Sequence, residues 1–415
     1  MNCKLKHLLL LFIIFINCVF TYGQKAWPSI TWNNAVNIST VLPPAAEELS
    51  GLYWNSQINQ LFVVGDGGWV YLLQHNSTNN LFTLVGADFV IGGPEGITQV
   101  NNSANEFYTI DENNYEIRKY TYDNSFSTVV QSKSWNLLQA PSPMPNTVNI
   151  GPEGIAFVPD WYLQRVSFIS SVSGQPYSST KGMGGLLFIA HQNEGYVWVY
   201  DVNPDVNNDF AYVGKYKTNR SESCDLAFDP STGMMHILHN IDKNYLEVTN
   251  LGTTFINGEY KFNTISEYFI PNPSGDINIE GFALSPKFPL DASRGVWLCR
   301  DVLIIAAETT DAIRWFSPYI ADGQNINTSI PDLEYTSQIS VYPNPANREI
   351  TIDSQDKVSL IFDVTVFTSA GQMVERIQNT QFPCSINVHN YYPGIYLVEI
   401  KTNHNARVYQ KFIKR

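Results

Sequence analysis

Apolar residues in this chain fall in short runs separated by polar turns, and not at helical spacing. Gln60-Leu61-Phe62-Val63-Val64, Trp69-Val70-Tyr71-Leu72-Leu73 and Leu81-Phe82-Thr83-Leu84-Val85 follow one another, broken by Gly, Asp, Asn and Ser. Tyr115-Glu116-Ile117-Arg118-Lys119-Tyr120 alternates with period two. Runs of this length and spacing predict half-buried and buried strands joined by tight turns. One motif punctuates the pattern. Gly93-Pro94-Glu95-Gly96-Ile97 returns as Gly151-Pro152-Glu153-Gly154-Ile155, and more loosely as Asn278-Ile279-Glu280-Gly281-Phe282. Each copy opens an apolar run, a turn and a second apolar run, so each marks the start of an equivalent unit.

Five such units are predicted. They start at Glu48, Glu95, Glu153, Glu222 and Glu280, with second strands at 60–64, 106–110, 185–190, 234–238 and 302–307. The fifth lacks a fourth strand, and Ile30–Ile38 at the other end of the chain is expected to supply it. Four-stranded sheets repeated around an axis and closed by the N-terminus make a β-propeller. The expectation is an all-β chain: five blades, or six if the Ser/Gly-rich insertion 159–184 hides strands, followed by a small β-sandwich. The domain reading is 1–23 leader, 24–320 propeller, 321–338 polar linker and 339–415 sandwich.

The leader has a basic start, an apolar run from Leu8 to Phe20 and a small-residue end at Gly23, as a secretory signal peptide has. In the last domain, Val341-Tyr342-Pro343-Asn344-Pro345, Ala370-Gly371-Gln372, Pro393-Gly394-Ile395-Tyr396 and a basic tail stand in order. This stretch resembles the type IX secretion C-terminal sorting domain of the Bacteroidota. The resemblance implies passage through that secretion machinery, usual removal of the domain, and release or anchoring at the cell surface. The strand starts of residues 45–320, with Asn278-Ile279-Glu280-Gly281-Phe282-Ala283-Leu284 foremost, resemble SdiA-regulated proteins and the related esterase-like phytase domain. That resemblance implies fold more than activity. The fourth unit departs from it, with Cys224-Asp225 in place of Glu-Gly.

Composition narrows the function. The chain has 38 acidic against 25 basic residues, a net charge of -13, which argues against nucleic acid as partner and fits attraction of cations. After the leader, Cys224, Cys299 and Cys384 remain, at no zinc-module spacing; a Cys224–Cys299 bridge and buried free thiols both stay open.

Two rings of residues carry the candidate chemistry. The strand-start ring is Ser50, Glu95, Glu153, Cys224 and Glu280. First strands of propeller blades line the axis, so its carboxylates converge and need a cation, protons or solvent between them. Hard oxygen ligands suit Ca²⁺ or Mg²⁺ better than zinc, so Glu95, Glu153 and Glu280 are the expected metal ligands and Ca²⁺ the expected cofactor. The competing expectation is that these side chains accept backbone N–H bonds as inter-sheet clamps. The second ring, at the ends of the second strands, gives the expected ligand-binding residues Asp66, Glu112, His191, Glu194, His239 and Glu308. No nucleophile elbow, phosphate-binding glycine loop or His-Glu-x-x-His is present. Three functions stay open: a secreted or surface protein that binds an unknown small-molecule or surface ligand at the channel mouth, a calcium-assisted phosphoesterase, and a structural or adhesive surface protein.

Overall fold

The computed structural model describes residues 24–43, 46, 48–240, 243–270, 278–286, 294–301, 311–320, 339–354, 362–369, 372–381, 383–402 and 407–415. The leader and the linker 321–338 lie outside them. Among the described residues no helix is long and apolar enough to cross a membrane.

The chain is all-β. It opens with β1 (Lys25–Ala26) and β2 (Val36–Asn37). Three groups of antiparallel strands follow: β3 (Leu49–Asn55), β4 (Gln60–Gly65), β5 (Trp69–Asn76), β6 (Leu81–Phe89); β7 (Pro94–Thr98), β8 (Glu106–Asp111), β9 (Glu116–Tyr122), β10 (Val129–Asn136); and β11 (Pro152–Pro159), β12 (Gly185–His191), β13 (Tyr196–Val202), β14 (Phe210–Lys217). Next come β15 (Asp225–Asp229), β16 (Met234–His239), β17 (Tyr245–Ile256) and β18 (Glu259–Phe269), then β19 (Ile279–Leu284), β20 (Val296–Arg300) and β21 (Ile313–Phe316). Within each group consecutive strands pair, the local connection that alternating sequences with tight turns favour. The largest sheet runs β11-β12-β13-β14-β18-β17-β16-β15, with β1 added beside β18. It is two meanders joined edge to edge through one parallel pair, Lys217 with Lys261.

The first strands neighbour one another in a closed cycle: β3 beside β7, then β11, β15, β19 and β3 again. The core is divided accordingly. Phe62 and Leu72 pack with Phe107 and Tyr120; Ile110 and Trp135 with Leu187 and Trp198; Val197 and Tyr216 with Met235 and Phe262. Leu238 and Tyr268 pack with Phe282 and Phe316, and Leu61 and Tyr71 with Trp297 and Trp315. Each wedge of apolar side chains thus holds one strand group against the next. The cycle is tight at its inner ends. A Cβ on Gly96 would lie 2.6 Å from the Glu153 carbonyl oxygen, and one on Gly154 2.5 Å from the Asp225 Cα, so only glycine allows these approaches.

The fifth group departs from expectation in two places. Its second strand is β20, Val296–Arg300, and not 302–307. Buried Val296, Leu298 and Cys299 fill the row between β19 and β21, and 302–310 fall outside the described residues. The N-terminal segment does close the sheet, but through two residues, Val36 opposite Trp315 and Asn37 opposite Arg314. Upstream, Trp32–Asn34 turn as a 3₁₀ helix that buries Trp32 against Phe316.

The insertion after β11 begins with helix α1 (Asp160–Arg165). Its far end is tied to buried Asp201 of β13, whose carboxylate accepts bonds from Tyr177 Oη (2.9 Å), Ser179 Oγ (3.0 Å), and Thr180 N (2.7 Å) and Oγ1 (2.9 Å). Cys224, Cys299 and Cys384 are buried free thiols.

The C-terminal strands are β22 (Ile339–Tyr342), β23 (Glu349–Ser354), β24 (Phe362–Thr368), β25 (Met373–Thr380), β26 (Cys384–Asn387), β27 (Gly394–Thr402) and β28 (Arg407–Lys414). They form two sheets, β22-β23-β26 and β25-β24-β27-β28, around a shared core that includes Ile350, Ile352, Val364, Val398 and Phe412.

Candidate functional site

A single backbone bond recurs at one end of the strand groups. The N–H that follows the second strand donates to the carbonyl two residues before the strand-start position: Asp66 to Glu48 (3.0 Å), Gln192 to Gly151 (2.9 Å) and Asp301 to Asn278 (3.0 Å). The bond sets Asp66 beside Ser50, Gln192 beside Glu153 and Asp301 beside Glu280. Ser50, Glu95, Glu153 and Glu280 of the first ring therefore meet Asp66 and Glu112 of the second at one cavity of about 200 Å³. Glu48, Ser50, Asp66, Glu95, Glu112, Asn149, Glu153, Gln192, Glu280 and Asp301 line it, and none of these described lining residues is basic.

The electrostatics follow from that lining. Burial, then the charges of Asp66 and Glu280, push the Glu95 carboxyl well above the usual carboxylate range. Burial, then Glu95, Glu280, Glu112 and Glu222, does the same to Glu153. Glu280 rises to about 8, through burial first and the Asp301 charge second. Glu112 and Asp301 are raised by burial, against a backbone N–H from Gly151 and the Asn278 amide respectively. Carboxyl groups crowded in this way disfavour one another's charged forms. The cavity as built therefore asks for protons or a cation.

The clamp role falls on neighbours of the ring. Glu112 Oε1 accepts the Gly151 N–H at 2.8 Å, and Asp225 Oδ2 accepts the Phe282 N–H at 2.7 Å. No backbone N–H of the described residues is among the partners of Glu95 or Glu153. Cys224, the fourth strand-start residue, is buried with Sγ toward the Leu238 and Ile279 carbonyls. No three His, Cys, Asp or Glu side chains among the described residues stand close enough to hold a bare metal ion.

The other expected ligand residues lie elsewhere. His191 is buried beside Tyr115 and Trp198; its Nδ1 accepts the Asn193 N–H at 3.1 Å, and burial, then Lys215, lowers its pKa to about 4. Glu194 is exposed in a left-handed turn, and its carbonyl takes the Lys217 ammonium. His239 is buried with Nδ1 against the Glu222 carbonyl and Nε2 3.1 Å from Glu247 Oε2. Ser223 Oγ stands 3.4 Å from the same Nδ1. This Ser–His–Glu row has the order of a nucleophilic triad, but all three residues are 0% exposed, so it is a sealed network. Glu308 lies outside the described residues.

Sequence reasoning missed Glu48, Asn149, Gln192 and Asp301 as lining residues. Asp301 was hidden because the second strand of its group was placed downstream of it. Gln192 sits one position past His191, and only the recurrent backbone bond distinguishes the two.

Comparison with known proteins identifies the tail. Residues 340–415 match the secretion system C-terminal sorting domain family. The match marks the chain for export by type IX secretion, to the cell surface or the extracellular space. No curated protein matches the chain. Among solved structures, a crystal structure of a nidogen/laminin complex is 11% identical, with a TM-score of 0.31, over 61% of this chain and 72% of that one. A crystal structure of a mitotic checkpoint complex is 10% identical, with a TM-score of 0.33, over 77% and 98%. Scores this low carry no argument about fold or function.

Proposed function

We propose that residues 24–320 form a five-bladed β-propeller, exported by type IX secretion, that binds its ligand through a divalent cation at the mouth of the acidic cavity. The observation that carries this reading is the convergence of seven acidic side chains on one cavity, two of them, Glu95 and Glu153, only 7% and 5% exposed. Like charges held this close need compensation. Oxygen-only ligands select a hard ion, Ca²⁺ before Zn²⁺. The volume leaves room for an ion that keeps part of its water shell: 200 Å³ corresponds to about seven waters at ~30 Å³ each.

A purely structural role for the ring is disfavoured, because Asp225 and Glu112 already make the backbone clamps. A phosphoester substrate would meet seven carboxyl groups and no basic side chain among the described lining residues, so hydrolysis needs the metal first. Calorimetry of the full chain with calcium chloride tests the reading. Saturable binding is expected, and it is lost in a Glu95→Gln/Glu153→Gln/Glu280→Gln variant. A wild-type chain that takes up no calcium overturns it.

A further inference from the structure

The acidic cavity is lined by segments that also carry exposed apolar side chains. Five large apolar side chains stand exposed on the segments that carry its lining residues: Trp69 (41%), Phe89 (54%), Ile91 (65%), Val148 (72%) and Ile150 (46%). Val148 and Ile150 flank Asn149, which lines the cavity. Trp69 follows Asp66 by one turn, and Phe89 and Ile91 precede the Gly93 that lies against the Asp66 carboxylate; a Cβ on Gly93 would sit 2.5 Å from Asp66 Oδ1. These pieces are fastened together. The Val90 N–H donates to the Gly68 carbonyl at 2.7 Å, and Phe89 meets Trp69 edge-on at 6.0 Å. Exposed apolar groups on the segments around a polar depression mark a surface that meets another molecule.

We propose that this face docks a polypeptide presenting one Lys or Arg side chain flanked by apolar residues. The basic head group enters the cavity toward Glu95 and Glu153, and its apolar neighbours cover Trp69, Phe89 and Ile91. The inference rests on the reading of the cavity as a cation site and puts the partner's own ammonium or guanidinium group in place of the divalent ion, the two competing for it. Charge complementarity selects the cation. The exposed apolar side chains select the body that carries it, since a bare metal ion leaves Trp69 and Phe89 in water. The cavity admits one side chain and no folded element. The partly exposed Trp69 ring adds attraction for a cation passing over it.

The test is calorimetry of the full chain with three capped, amidated tripeptides, Phe-Lys-Phe, Phe-Gln-Phe and Gly-Lys-Gly, beside a separate calcium chloride titration. Phe-Lys-Phe is expected to bind one site at least tenfold more tightly than either control and to be displaced by calcium. Trp69→Ala is expected to weaken it at least tenfold. Equal binding of Phe-Lys-Phe and Phe-Gln-Phe overturns the proposal, because the cavity is then unused. Equal binding of Phe-Lys-Phe and Gly-Lys-Gly also overturns it, because the exposed apolar side chains are then unused. Calcium uptake without tripeptide binding sinks the docking and leaves the cation site standing; uptake of neither sinks both.

Discussion

Asp225 Oδ2 accepts the backbone N–H of Phe282 at 2.7 Å, across the boundary between the first strands β15 and β19. The other four first strands carry Gly51, Gly96, Gly154 and Gly281 at this position. Asp225 Oδ1 also takes the Leu226 N–H at 2.7 Å, and the residue is 1% exposed. Burial pushes its carboxyl well above the usual range, against the pull of those two N–H groups. Asp225→Ala leaves the Phe282 N–H without a partner in the core, a loss of about 1–3 kcal/mol. Asp225→Asn keeps an acceptor oxygen in place and is expected to cost less. Urea unfolding midpoints compare the two; equal losses would show that the acceptor is not what matters.

The cavity sets a pH dependence whose sign is fixed by its raised carboxyls. Glu280 rises from 4.5 to about 8, and Glu95 and Glu153 move the same way. Folded chains then hold protons that unfolded chains release, so this contribution is full below the unfolded value and is lost as pH rises from 4.5 through about 8. The thermal midpoint is expected to fall between pH ~5 and pH ~8.5, by several degrees at roughly 2–4 °C per kcal/mol. The Glu95→Gln/Glu153→Gln/Glu280→Gln variant is expected to flatten the profile and to melt higher than wild type at the alkaline end. Parallel profiles for the two proteins would remove these three groups as the cause.

Much of this arrangement was legible because it is local. The first four strand groups follow from short alternating runs and tight turns, since each strand pairs with its neighbour in sequence. The fifth failed because 302–307 is the more apolar run, whereas the strand row is filled by Val296–Arg300, which pairs on both sides. The closing segment was read as a strand over nine residues, but Trp32–Asn34 turn as a 3₁₀ helix with Trp32 packed on Phe316, and only Val36 and Asn37 pair with β21. Glu95, Glu153 and Glu280 were found through the repeated motif. Their union with Asp66 and Asp301 depends on backbone bonds spanning 18 and 23 residues, which leave no trace in composition. His191 and His239 were chosen by residue type, and both are buried, bonded to Asn193 and Glu247 respectively.

The sealed pair of His239 and Glu247 is expected to matter for stability. Burial alone would push the Glu247 carboxyl up. The bond and charge of His239, the Thr264 hydroxyl at 2.6 Å and the Asn219 N–H at 2.7 Å outweigh it and hold the group below its usual value. Its contribution is therefore present above the unfolded value of 4.5 and is lost as pH falls through the lower folded value. His239→Ala leaves a buried carboxylate without its main partner and costs about 3–5 kcal/mol. Glu247→Gln is expected to lower stability at neutral pH and to flatten the acid limb. An unchanged acid limb would assign that limb to other carboxyls.

Asp201 fastens the insertion after β11, so its removal is expected to release that segment before the rest of the fold. Asp201→Ala takes away the acceptor of four bonds from Tyr177, Ser179 and Thr180. Part of the loss is recovered by water, because Ser179 and Thr180 stand near the surface, so the expected cost is about 2–4 kcal/mol. Limited proteolysis reads the effect directly. New cleavage within 166–184 is expected, with the strand groups intact. Cleavage unchanged from wild type would show that α1 and its contacts hold the segment alone.

The sorting tail carries a core of its own, drawn from residues 339–412, while the other five apolar clusters draw only on residues 27–319. Removing 339–415 therefore takes no side chain out of those five clusters. A chain ending at residue 338 is expected to fold and to show the same thermal midpoint within a few degrees. It is also expected to remain inside the outer membrane, because the match that marks the chain for export lies wholly in 340–415. A carrier protein fused to 339–415 is expected to gain export. Fractionation of medium, surface and periplasm distinguishes the cases. Equal amounts of full-length and truncated chain in the medium would show that the tail is not the export signal, and an unfolded truncated chain would show that the two parts share stability.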